Sequence, residues 1–91
     1  MESLHTTATE ALRSLLDQQP ASPAKMSFVW AMAAGPAMAR ATRATWRDDG
    51  VLVVRAETDA WRRELRRARA VLSTRVRQLA GDKVVTRLVI E

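Results

Sequence analysis

Advancing about 100° per residue from Trp61 places Leu65, Ala68, Leu72, Val76 and Leu79 on one side of a helical projection. The spacing predicts one long helix from Trp61 to Leu79 with an apolar stripe turned to a core. Ala8, Leu12, Leu15 and Leu16 show the same period in a first helix. Thr7 and Glu10 are expected to open it as a capping box, after a disordered Met1 to His5, and it must stop before Pro20, because a proline pushes the preceding Gln19 out of the helical region. Ser22 and Pro23 restart the helix as N-cap and first helical residue. Met26, Trp30, Ala33, Ala34 and Ala37 then line one side. Gly35-Pro36 interrupts this second helix, since Pro36 cannot donate to the carbonyl of Met32, and a last turn is expected to reach Arg40. Phe28 and Met32 point off the stripe; packing on the first helix is the expectation, with exposure to solvent the alternative.

Between the two helical regions the period falls to that of a strand. Thr42 to Arg47, the turn Asp48-Asp49-Gly50 and Val51 to Thr58 read as a hairpin whose glycine supplies positive φ. Val51-Leu52-Val53-Val54 is apolar on both faces, as suits a central strand. Asp59 is expected to cap the long helix, Gly81 to end it, and Val84 to Ile90 to form a third strand. The order is helix, helix, strand, strand, helix, strand. That is an α+β domain spanning residues 1–91, a three-stranded mixed sheet ordered 1-2-3 with helices on one face. The third strand is expected parallel to the second through a right-handed crossover. On the open sheet face, Val51, Val53, Val85 and Val89 are expected to form an apolar strip through which copies of the chain could associate.

Charge changes the picture at the long helix. The chain carries +5 at pH 7 with pI ≈ 11.3, and thirteen of its fifteen Lys and Arg are arginine. The segment WRRELRRARAVLSTRVRQL alone holds seven, against one acid, Glu64. Arg62, Arg66 and Arg69 project to one flank, while Arg63, Arg67 and Arg77 project to the back. Arg75 falls near the stripe, where its stem should lie on apolar surface and its head in water. Such a run is ordinarily a solvated face, yet an anionic partner is also implied. Arg62, Arg63, Arg66, Arg69 and Arg77 are the candidate contacts for weak, sequence-independent binding of single-stranded DNA. Trp46 is the one candidate stacking platform, Trp30 and Trp61 being assigned to the core.

The chemistry of an enzyme is missing. There is no cysteine, the single histidine, His5, sits in the expected disordered start, and Asp48 and Asp49 are ordinary turn residues. Gly35, Gly50 and Gly81 are scattered at element ends and form no phosphate loop. The pattern points to no cofactor, no metal and no catalysis. No apolar run approaches a membrane span, and MESLHTTATE lacks the pattern of a signal peptide, so a cytoplasmic protein is expected.

Three motifs carry a family resemblance. Trp30-x-x-x-x-Gly35-Pro36 with Ala39-x-x-Thr42, then Asp49-Gly50-Val51-Leu52-Val53-Val54, then Trp61-x-x-Glu64-Leu65 together resemble the DciA family. The resemblance covers roughly residues 20–90, and Trp30, Gly35, Gly50, Trp61 and Leu65 are its structural positions. It implies a KH-like domain of type II and a role in bacterial DNA replication, in which a non-enzymatic adaptor binds the hexameric DnaB-type helicase and promotes its loading on single-stranded DNA. The sequence departs from a KH pattern in having no GxxG loop, with the stretch from Leu65 to Leu79 running through its place. Its last residue, Glu91, falls where family members often continue into a disordered basic extension. The alternative reading is a basic single-stranded nucleic-acid-binding module with no helicase partner. A third is a homo-oligomer joined through the open sheet face.

Overall fold

The computed structural model describes residues 4–18 and 20–91, with side chains described from Glu10 onward except at positions 17 and 19. α1 spans Leu4–Asp17 and so begins ahead of Thr7, which lies inside the helix and not at its cap. The side chains of Thr7 and His5, residues 1–3, and the expected bend at Gln19 fall outside the described residues. α2 (Pro23–Ala34) starts as its sequence requires, with the Ser22 hydroxyl accepting the Lys25 N–H at 3.1 Å. Gly35, at φ 85°, separates it from α3 (Pro36–Arg40), the short break that Pro36 imposes.

β1 (Thr42–Trp46) and β2 (Val51–Ala56) pair antiparallel, and β3 (Arg87–Ile90) adds parallel to β2, giving the order β1-β2-β3. This is the α+β arrangement with a mixed three-stranded sheet that the pattern predicts. The β1–β2 turn depends on Gly50. Its φ of 84° suits glycine, its carbonyl accepts the Thr86 N–H at 2.9 Å, and a Cβ there would meet both the Thr86 methyl and the Val84 carbonyl oxygen at 3.0 Å. The turn thus fixes the hairpin and the entry to β3 together.

Register sorts the sheet into two faces. Leu52, Val54, Ala56 and Leu88 join Leu16, Met26, Val29, Trp30, Ala33, Leu65, Leu72, Val76 and Leu79 in one buried cluster beneath the helices. Trp30, 3% exposed, donates its indole N–H to the Thr42 hydroxyl at 2.9 Å, and that hydroxyl donates onward to the Met38 carbonyl at 2.7 Å. Val51, Val53, Arg55, Arg43, Thr45, Arg87 and Val89 face the other way.

Four expectations need correction. The long helix is two, α4 (Asp59–Arg67) and α5 (Arg69–Ala80), broken at Ala68, where φ −92° and ψ 3° leave the helical well. α4 packs on β2 and β3, whereas α5 packs mainly on α1 and α2, so no straight rod could serve both sets of partners. The α4 cap is Thr58, whose hydroxyl accepts the Trp61 N–H at 3.1 Å, and Asp59 is the first helical residue. β3 starts only at Arg87, because the N–H groups of Val84 and Val85 turn back to the Gly81 carbonyl and Val85 enters the core at 1% exposure. The open-face strip therefore loses Val85. Phe28 and Met32, finally, remain 46% and 51% exposed; Phe28 only borders a groove against Leu12, Leu15 and Leu16.

Candidate nucleic-acid interface

The break at Ala68 sets part of the arginine run around a cleft. Arg66, in the last turn of α4, and Arg69, the first residue of α5, stand on either side of Ala68 and face β3. Together with Arg87, Val89 and Ile90 they line a cleft of about 420 Å³. Arg69 donates to the Leu88 carbonyl at 3.4 Å, which ties the helix junction to the strand. Among the described residues Arg66 and Arg87 have no carboxylate or hydrogen-bond partner for their side chains. Three guanidiniums over an apolar floor with no acid among its lining residues can take the oxygens of a phosphate in bidentate fashion.

The other expected contacts are distributed differently. Arg62 is not among the residues that line the cleft; its Nε donates to the Glu91 carbonyl at 3.2 Å while its Nη1 pairs with Asp59. It acts there as a brace between α4 and β3. Arg63 turns away and lines a separate hollow of about 200 Å³ with Trp61, Glu64 and Arg67, the last two forming an ion pair at 3.4 Å. Arg77, in the last turn of α5, pairs with Asp82 at 3.5 Å and is not among the residues that line the cleft. Arg75 does not reach for water alone, since its Nη1 donates to the Ala33 carbonyl at 3.3 Å and caps the end of α2.

Trp46, the candidate stacking platform, is not among the residues that line the cleft. It is half-buried against the core and its indole N–H donates to the Val84 carbonyl at 3.2 Å. Trp61 is also half-buried, with its ring against the core on one side and the shallow hollow on the other. Leu65 is fully buried beneath α4, and Gly35 carries the α2–α3 break with open space where a Cβ would stand.

Sequence reasoning missed Arg87, the third cation of the cleft, and with it Val89 and Ile90. A helical projection cannot reach a strand almost twenty positions beyond Arg69, and only the parallel pairing of β3 with β2 brings it there. Among the described residues no group of three or more His, Cys, Asp or Glu is arranged to hold a metal ion, and no helix is long and apolar enough to cross a membrane.

A family model described as Dna[CI] antecedent, DciA matches residues 3–90. The chain belongs to the DciA family. Membership places it with helicase-loader-type adaptors of DNA replication in general. No curated protein and no solved structure gives a significant match to it.

Proposed function

We propose that this protein is a non-enzymatic, cytoplasmic adaptor that docks on a DnaB-type replicative helicase and holds single-stranded DNA in the cleft of Arg66, Arg69 and Arg87 while the helicase is loaded. The observation that carries the DNA part is the cleft itself, with three arginines from three elements converging on one apolar floor. The helicase part rests on the family. The order of elements and the interruption at Ala68 support a KH-like reading of type II, with the α4–α5 junction where a GxxG loop would lie. Where such a loop clamps the backbone with its glycines, this junction reads Arg66-Arg67-Ala68-Arg69, and guanidiniums take over the contact with phosphates. Binding of that kind is sequence-tolerant and weak, because no aromatic side chain in the cleft adds base stacking.

A plain nucleic-acid-binding module would share the cleft and lack the helicase. Size-exclusion chromatography of the purified protein with the replicative helicase of its own organism, in the absence of DNA, separates the two. The adaptor co-elutes with the helicase at about 10 µM of each, which corresponds to an interaction near −7 kcal/mol. Independent elution would remove the adaptor reading and leave the module. Association through the sheet face is the weaker third reading, since it would set Arg43, Arg55 and Arg87 of one copy against those of the other.

A further inference from the structure

The open face of the sheet is a second cationic surface, and it adjoins the cleft. Arg43 and Arg55 are direct partners across the antiparallel β1–β2 pair, an arrangement in which like charges destabilise the ladder. Arg55 is offset only by an exposed ion pair with Glu91 at 3.6 Å, which contributes little. Arg43 has no carboxylate partner among the described residues. With Thr45, Arg47, Val53 and Glu91 these two arginines line a hollow of about 380 Å³. Nothing in the core requires this clustering, because every one of these side chains lies on the face away from the helices.

Register connects the hollow to the cleft. Val53 is the partner of Val89 on β3 and of Thr45 on β1, so Val89, Val53 and Thr45 form a row straight across the sheet. At about 4.8 Å between strands the row is roughly 10 Å long. Val89 and Arg87 also belong to the cleft, and Arg55 and Arg43 stand together at the other side of the row.

We propose, resting on the reading of the cleft as a single-stranded DNA site, that the strand continues from the cleft around the β3 edge and across the row Val89, Val53, Thr45, where Arg55 and Arg43 take its next phosphates. The small side chains of the row make a low apolar floor, and the arginines on its flanks neutralise the backbone. A protein partner is the less fitting occupant, since such interfaces are anchored by tryptophan, tyrosine and arginine in well-packed, desolvated pockets, whereas this face carries no aromatic side chain and its arginines flank an open floor of valine and threonine. Glu91 occupies the path as a displaceable internal anion. Phosphate binding at Arg55 competes with its carboxylate.

Fluorescence anisotropy with labelled oligothymidylates of about 5 and about 15 nucleotides tests this, the lengths bracketing the site of a small binding domain. Wild type is expected to show a steeper log-log salt dependence on the long oligomer than on the short one, by about 1.4 for two added contacts at about 0.7 each. Arg43→Gln/Arg55→Gln should bring the long oligomer to the slope of the short one and leave the short one unchanged, and Glu91→Gln should tighten the long oligomer only. Thermal melts confirm folding, and the double variant should melt no lower than wild type because it removes a like-charge pair. A folded double variant that binds both oligomers as wild type does overturns the proposal. Absence of binding to either length at low salt overturns it together with the cleft reading on which it rests.

Discussion

Replacing Gly50 by alanine tests how the hairpin turn and β3 are held together. Two costs can be worked from the structure. Placing an L-residue at φ 84° costs about 1–2 kcal/mol. The new Cβ also arrives 3.0 Å from the Val84 carbonyl oxygen and 3.0 Å from the Thr86 methyl, and one of these is backbone that cannot rotate away. Overpacking of this kind costs about 1–3 kcal/mol. The sum, about 2–5 kcal/mol, is a large share of the roughly 5–13 kcal/mol that a chain of this length commands. Urea denaturation followed by far-UV circular dichroism should show a lower midpoint at unchanged m. The contact part can be isolated with Thr86→Ser, which removes the methyl while retaining a hydroxyl for the Asp49 carbonyl. Gly50→Ala should cost less in that background, by about 0.5–1.5 kcal/mol of coupling. A Gly50→Ala variant within 0.5 kcal/mol of wild type, a margin about the size of an ordinary surface substitution, would refute the reasoning.

Other outcomes follow from single hydrogen bonds. Thr58→Ala removes the α4 cap and should cost about 0.5–2 kcal/mol, whereas Asp59→Ala should cost less; the same denaturation series compares them. Thr42→Val keeps the shape but strands the Trp30 indole N–H, while the Met38 carbonyl keeps the Ala41 N–H at 3.2 Å, with an expected loss of about 1–3 kcal/mol and a shift in tryptophan fluorescence.

Legibility in the sequence followed the range of the interaction. The Ser22-Pro23 start, the Gly35-Pro36 break and the Asp48-Asp49-Gly50 turn are local chemistry, and each stands where its residues put it. The apolar run Val51-Leu52-Val53-Val54 announced a central strand for the same reason. Ala68 carried no signal of a break, being a good helix former with neither glycine nor proline beside it; tertiary packing of α4 and α5 on different partners decides it. The α4 cap was displaced by one residue because Thr58 and Asp59 are both capable caps in sequence. The proposed binding surface was half visible. Arg66 and Arg69 stood out in the arginine run, but Arg87, Arg43 and Arg55 are isolated in sequence and meet only through strand register.

The claim that the cleft is a phosphate site is tested most directly by the salt dependence of short oligothymidylate binding in Arg66→Gln/Arg69→Gln/Arg87→Gln. All three are exposed and outside the core cluster, so the variant should melt near wild type. Removing three contacts should reduce the log-log slope by about 2 and weaken binding at low salt. A folded variant that keeps the wild-type slope and affinity would contradict the account and place the DNA elsewhere on the protein.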